Sequence, residues 1–442
     1  MKFQQEYKNI ITESFDSCKN DAAMMREAIE KSSAHYHGYT VHSLYIPKMY
    51  TENDLKIFND AAVITHRILE KLIQHYIDNP EYRKLFGFDK RLEELILRPV
   101  PYKCLLPIAR IDIFYNPETK DFKFCEFNTD GSSGMNEDRE LNNVFAKSDT
   151  FNRFSENHSI KTFELFDSWV KEFDEMYRSC GSTPKRPYAA IVDFMSSASN
   201  EEFEEFRRAF IRSGYDCEIC DIYKLRRENG ALVSPSGRKI DVVYRRAVTC
   251  DIMNNYDKVR PFIDAALNNE VVLIGDFRTQ IVHNKLIFKI MRNEMTKKIL
   301  THTENDFIEK HIPATYALTH DNIKAHKVIE NKNKWIVKPE DSYASKGVLA
   351  GIEAKTTEQW RSFLEDHADT DYLLQEYITP YETENIDLIW DRSADFRGFA
   401  NITGLFVYNG KLKGLYSRIA KSGVISTQYS EMTLPTMIVK SK

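Results

Sequence analysis

Residues 105–130 read LLPIARIDIFYNPETKDFKFCEFNTD, and their periodicity decides what kind of fold this chain can adopt. Apolar and polar residues alternate on both sides of Asn-Pro-Glu-Thr-Lys-Asp, the pattern of two strands closed by a turn. Residues two apart on a strand share a face, so Arg110 and Asp112 point one way together, and so do Glu126 and Asn128. A hairpin symmetric about Thr119 sets Asp112 opposite Glu126 and Arg110 opposite Asn128. One patch then carries two carboxylates, an amide oxygen and a guanidinium. Mg²⁺ prefers hard oxygen donors completed by water and substrate phosphates, which Asp112, Glu126 and Asn128 can provide, leaving Arg110 for a phosphoryl oxygen. A salt-bridge ladder on a half-exposed hairpin has the same composition, so the patch alone leaves both readings open.

Two further clusters lie toward the C-terminus. WIVKPEDSYASKGVLAGI (335–352) reads as a strand with Lys338 near its end, a small-residue loop holding Ser342, Ser345 and Gly347, and a second strand. Such a loop can turn its amides toward phosphates while Lys338 and Lys346 supply charge. DYLLQEYI (371–378) is an apolar strand interrupted by Gln375 and Glu376, suited to presenting backbone groups to an adenine ring, with Glu376, Glu382 or Glu384 near a ribose. Lys285, in HNKLIFKIM, reads as the start of a helix within reach of the same phosphates. The third cluster, DFRGFANITGLFVYNGKLKGLYSRIAKSGVIST (395–427), is an alternating hairpin turned at Asn409-Gly410, with Arg397 and Arg418 on its two arms. Taken singly, each of these lysines and arginines is explained equally well as a solvated surface charge.

Their order is more informative than any one of them. The run from Lys338 through Gln375-Glu376 to Asp395-Phe396-Arg397 and Tyr416-Ser417-Arg418-Ile419 resembles the nucleotide-binding half of ATP-grasp ligases. In most of those enzymes the acidic metal motif follows this run; here Arg110-Ile111-Asp112 and Glu126-Phe127-Asn128 precede it. This permuted order, with a small α/β stretch between the halves, resembles the glutathionylspermidine synthase-like, circularly permuted ATP-grasp family over roughly residues 100–430. The resemblance implies an α+β / α/β chain: an ATP-grasp fold in permuted order, an inserted small α/β domain like a preATP-grasp domain, and an N-terminal helical region. It further implies ATP and Mg²⁺, two ions, as cofactors. Asp112, Glu126 and Asn128 would hold metal, and Arg110 and Arg418 would act on the transferring phosphoryl group and the acyl-phosphate. Lys285, Lys338, Ser345 and Gly347 would lie at the ATP phosphates, and Gln375, Glu376, Tyr377 and Ile378 at the adenine. The loop after Asn128, Thr-Asp-Gly-Ser-Ser-Gly, departs from the Thr- and Pro-containing acid-binding loop expected of that family, so glutathione does not follow as the acid.

The implied organisation is a helical region over 1–100, the metal-binding hairpin segment over 101–185, the small α/β domain over 186–270 and the nucleotide-binding segment over 271–442. Patterning agrees. DAAMMREAIEKS and DLKIFNDAAVITHRILEKLIQHYI carry apolar residues at three- and four-residue spacing and read as scaffold, while YAAIVDF, NEEFEEFRRAFIRSG and IDVVYRR alternate strand, helix and strand. The strand-end pair Arg245-Arg246 and the loop 129–134 are candidates for meeting the acid.

Composition sets the outer limits. With 42% hydrophobic and 29% charged residues the chain is an ordinary globular protein. Its 61 Lys and Arg against 66 Asp and Glu provide no basic field for a nucleic-acid partner. No apolar run is long enough to span a bilayer and the N-terminus lacks a signal-peptide centre, so a cytoplasmic protein without a membrane partner is expected. Seven irregularly spaced cysteines do not form a disulfide framework; Cys217 and Cys220 read as strand filling, and His35, His37 and His42 as packing or surface residues rather than zinc ligands. The expected activity is ATP-dependent joining of a small-molecule or peptide carboxylate to an amine through an acyl-phosphate. The alternatives are a small-molecule kinase of the same fold and a catalytically silent nucleotide-binding protein.

Overall fold

A computed structural model describes residues 2–36, 38–181, 183–196, 198–342, 346–425 and 431–442. The first hairpin forms over Ile108–Tyr115 and Phe122–Asn128, and its turn is set by Asn116, whose side-chain oxygen accepts from the backbone N–H groups of Glu118 and Thr119 at 2.9 and 3.3 Å. That turn pairs Tyr115 with Phe122, one residue short of symmetry about Thr119. A register shift between Asp112 and Ile113 absorbs the difference, and Asp112 faces Glu126 while Arg110 faces Asn128. The expected pairing is thus present, reached through a bulge rather than an even ladder.

The hairpin does not stand alone. Ile108–Tyr115 pairs antiparallel with Arg397–Tyr408, setting Asp112 opposite Gly404 and Arg110 opposite Phe406. Lys411–Ala420 and then Met432–Leu434 extend the sheet on that side, and Glu382–Asn385 pairs with the start of Arg397–Tyr408. Residues 335–427 therefore do not form one sheet. Their first part, Trp335–Pro339, Leu349–Ala350 and Tyr372–Glu376, joins Thr315–Ala317 in a separate four-stranded antiparallel sheet.

Between the two halves of the sequence, Val272–Ile274, Val242–Arg245, Tyr188–Asp193 and Asp216–Asp221 lie side by side, all parallel. A parallel sheet is covered on both faces, and the central strands Tyr188–Asp193 and Val242–Arg245 are accordingly buried along nearly their whole length, while the edge strand Asp216–Asp221 keeps Asp216 and Glu218 on one face. Ala189 and Ile191 pack into a core shared with Phe203, Phe206 and Phe210 of helix Asn200–Arg212, while Ala190 and Val192 face the main core.

The reading of Lys285 as the start of a helix is corrected. Three short helices, Gln280–His283, Ile287–Ile290 and Glu294–Ile299, replace one, because asparagines interrupt the ladder. Asn284 accepts from Leu286 N–H and Asn293 from Met295 N–H, both at 2.9 Å, and such local bonds compete with helix continuation. Lys285 consequently lies in a turn and does not start a helix.

The N-terminal region is mainly helical, with a small hairpin of His35–Tyr36 and Tyr39–Thr40. Helix Glu52–Asp78 starts with a capping box in which Thr51 and Asp54 satisfy each other's backbone N–H. Just before it, Lys48–Tyr50 pairs parallel with Thr436–Ser441, which ties this region to the C-terminal strand. The seven cysteines are all free, and Cys217 and Cys220 are on the strand Asp216–Asp221. Among the described residues no helix is long and apolar enough to cross a membrane.

Candidate active site

The central sheet, the separate antiparallel sheet and the small parallel sheet enclose a cavity of about 610 Å³. Its floor is the patch on the first hairpin. Asp112 is fully buried there and accepts two hydrogen bonds from Arg110, at 2.9 and 3.0 Å, one from the Asn128 amide at 3.1 Å, and one from Arg418 at 2.6 Å. Arg418 reaches Asp112 because Lys411–Ala420 is two strands away in the same sheet. Its other nitrogen meets Glu431 at 3.2 Å. Arg110 also donates to the Ser133 carbonyl at 2.7 Å. Asp112 is thus the anchor of two guanidinium groups and does not line the cavity, whereas Arg110, Glu126, Asn128 and Arg418 do.

Glu126 has an unusual balance of forces. Burial pushes its carboxyl up, but Lys285, Arg418, Arg110 and Lys338 outweigh burial and hold it at about 2. The group is a carboxylate at any physiological pH. Burial drives the Lys285 ammonium down, with Glu126 as the main opposing charge. Lysines from two separate segments therefore converge on one carboxylate of the first hairpin.

The residues expected at the nucleotide lie along the cavity's other wall. Lys338 donates to the Gln375 side chain at 3.0 Å across adjacent strands, and Lys285 donates to the Ser342 carbonyl, so both ammonium groups are held by neutral oxygens. Glu376, Tyr377 and Ile378 continue the strand edge into the cavity, where Ile336, Val348 and Val424 supply apolar surface. Gly347 is outside the lining and packs under the Tyr372 hydroxyl. Ser345 lies outside the described residues, as does His37.

Arg245 and Arg246 are both buried and internally paired. Arg245 bonds Asp130 at 2.5 Å, and Arg246 bonds Glu202 at 2.9 Å and the Ser132 carbonyl. They clamp the loop 129–134 from beneath; of the two, only Arg246 reaches the cavity. Gly131, at φ +69°, lies so close that an added Cβ would sit 2.7 Å from the Arg246 carbonyl oxygen.

Several cavity residues carry no signal in the sequence. Glu137 follows the loop on the first turn of helix Met135–Phe145 and accepts from Thr433 at 3.1 Å and from the Tyr416 hydroxyl. Tyr36 and His42 show that the N-terminal region, read as scaffold, also contributes wall. Glu137 lies three residues beyond the loop 129–134, which is the only local feature that could have drawn attention to it. Tyr36 lies some 70 residues from the hairpin and had no such neighbour.

Residues 276–405 match the model of the tubulin-tyrosine ligase family. That segment contains Lys285, Lys338 and the strand through Gln375, and it stops before Arg418. No curated protein matches the chain significantly. Among solved structures, a glutathione synthetase-like effector from Globodera pallida in apo form superposes with a TM-score of 0.60 at 11% identity, covering 94% of this chain and 96% of that one. A putative gamma-glutamylcysteine synthetase from Methylobacillus flagellatus covers 88% of this chain and 90% of its own at 9% identity, but its TM-score of 0.35 is too low to bear on the fold. The chain thus has a mixed α/β fold of the ATP-grasp kind, in which residues 276–405 are similar to the tubulin-tyrosine ligase family.

Proposed function

We propose that the protein is an ATP-dependent ligase that joins a carboxylate to an amine through an acyl-phosphate, releasing ADP and phosphate. One observation carries this reading: Glu126, Arg110 and Arg418 share a single cavity with Lys285 and Lys338, although the first hairpin and the lysine segments are far apart in sequence. The names of the matched family and of the similar structure, a ligase and a synthetase-like effector, support the same reaction class.

A carboxylate is a poor electrophile, and phosphorylation gives it a leaving group. Phosphoryl transfer asks a protein chiefly for positioning and charge neutralisation, so no nucleophilic side chain is required. In this reading Lys285 and Lys338 hold the ATP phosphates, and Gln375 to Ile378 with the apolar wall hold the adenine. Arg110 and Arg418 are fixed on Asp112 at the cavity wall, and in this reading their charge stabilises the phosphoryl group as it passes to the acceptor carboxylate.

The donor chemistry fits Mg²⁺. Glu126 is held ionised and Asn128 offers a carbonyl oxygen, both at the cavity. Asp112 joins them only by giving up one of its bonds to Arg110, Arg418 or Asn128. Among the described residues no three His, Cys, Asp or Glu side chains gather as a metal cluster, so the set is two carboxylates and an amide completed by phosphate and water oxygens. When bound, Mg²⁺ would neutralise charge on the β- and γ-phosphates.

The test is an ADP-release screen over pairs of amino acids, short peptides and polyamines, with mass spectrometry of the product. An amide formed with one ADP per bond supports the ligase. A stable phosphorylated product would make the protein a kinase, and ATP binding without substrate-dependent ADP release would make it a silent binder.

A further inference from the structure

The acyl-phosphate mechanism leaves one requirement unmet by the arginines and lysines. An amine reaches the enzyme as an ammonium ion and must lose a proton before its lone pair can attack. We propose that Glu137 is the proton acceptor for the incoming amine, an inference that rests on the ligase reading. The placement is specific. The guanidinium of Arg110 lies 5.4 Å from the centre of the Tyr416 ring and that of Arg418 lies 5.8 Å from it, while the hydroxyl of the same ring bonds Glu137. Glu137 is therefore one tyrosine away from both phosphoryl-side arginines and lines the same cavity. Both hydroxyl donors, Tyr416 and Thr433, bond one oxygen, Oε2.

The loop enforces this position. Gly134, at φ +104°, sits so close to the Tyr416 ring that an added Cβ would lie 2.8 Å from it. The helix carrying Glu137 begins there, and Glu202 closes its first turn by accepting from the N–H groups of Gly134, Met135 and Asn136 at 3.0, 2.8 and 3.3 Å. Tyr36 of the N-terminal hairpin, Glu431 beside Arg418, Glu202, and Asp138 on the same helix are the other titratable groups facing Glu137. Burial first, with repulsion from Glu202 and Glu431, raises the carboxyl to about 7 against the two hydroxyl donors. A base tuned near the working pH is the most effective kind.

The step balances. The ammonium gives one proton to the Glu137 carboxylate, and the freed lone pair forms the C–N bond. The C–O bond to phosphate then breaks, phosphate leaves with the electron pair and takes the second nitrogen proton, and Glu137 returns its proton to water. The products are an amide, hydrogen phosphate and one proton.

The experiment uses the full-length protein with Mg²⁺-ATP and a panel of amino acids and γ-glutamyl dipeptides as acids. Glycine, ethanolamine and putrescine serve as ammonium-form amines, and hydroxylamine as an amine already neutral near pH 7. Glu137→Gln is expected to slow amide formation from the ammonium-form amines by ~10²-fold or more, and to abolish an acid limb near pH 7, while hydroxamate formation stays nearly intact. Glu137→Asp should restore part of the rate, and Tyr416→Phe should move the acid limb upward, since it removes a donor to the carboxylate. Equal losses with both kinds of amine would overturn the proposal in favour of a structural role. So would an unchanged rate, or a raised amine KM at unchanged kcat. A wild type that makes neither amide nor hydroxamate with any acid overturns the ligase reading itself, and the base with it.

Discussion

At the residue scale, the decisive feature is that one carboxylate organises two guanidinium groups. Asp112 takes bonds from both Arg110 and Arg418, so both arginines are held in one geometry at the cavity wall. Arg418→Ala should cost turnover by ~10²-fold or more, about 2.7 kcal/mol, the size expected of a charge-stabilising donor. The fold should survive, because Arg110 still holds Asp112 with two hydrogen bonds. Amide product at saturating ATP measures it, and turnover near wild type would limit this arginine to a structural partner of Asp112. Lys338→Ala should weaken ATP binding by roughly tenfold or more without changing the melting temperature, since a neutral side chain cannot replace a point charge at phosphates. Calorimetric titration with ATP and Mg²⁺ decides it, and unchanged affinity would remove Lys338 from the nucleotide site.

Elements act here through how closely they approach. The loop 129–134 is clamped by Arg245 and Arg246 from below and pressed on Tyr416 from the side, with glycine at both points of contact. Gly134→Ala adds a methyl group where 2.8 Å separates it from an aromatic ring, on a backbone at φ +104° that alanine rarely adopts. The ring must move, and with it the bond to Glu137. A loss of activity by ~10-fold or more is expected with nucleotide affinity kept, because small misplacements of reacting groups are costly. Comparing kcat with the ATP dissociation constant tests this; equal damage to both would show that the substitution had spread beyond the loop.

For the whole molecule, the N-terminal helix Glu52–Asp78 and the helix His302–His311 are fastened by a buried carboxylate. Glu304 accepts from Arg67 at 2.9 Å and Lys71 at 2.7 Å, both on helix Glu52–Asp78, while closing a capping box with Thr301 on its own helix. Burial pushes its carboxyl up, yet Lys71 and Thr301 hold it at about 2. A carboxyl lowered on folding contributes stability that is present above its ordinary value near 4.5 and is lost as pH falls through about 2. Glu304→Gln should therefore lower stability by about 1–2 kcal/mol at pH 7, and the gap should narrow at pH 3. Thermal unfolding at the two pH values measures it, and a constant gap would mean that the charge plays no part.

The alternating period of 105–130 dictated a hairpin, and side-chain alternation then placed Arg110, Asp112, Glu126 and Asn128 on one face, because the face of a strand residue depends only on its index. The Asn409-Gly410 turn was equally legible, since its backbone demands are local. What sequence alone could not decide was contact between distant segments. The register that sets Asp112 against Gly404, and so brings Arg418 onto Asp112, depends on two hairpins finding each other across nearly 300 residues, and no local pattern encodes that choice. The same holds for Glu137, an ordinary acidic residue in a helical run until Tyr416, Thr433 and Glu202 close around it. Its chemistry comes from burial and neighbours, and those belong to the tertiary structure.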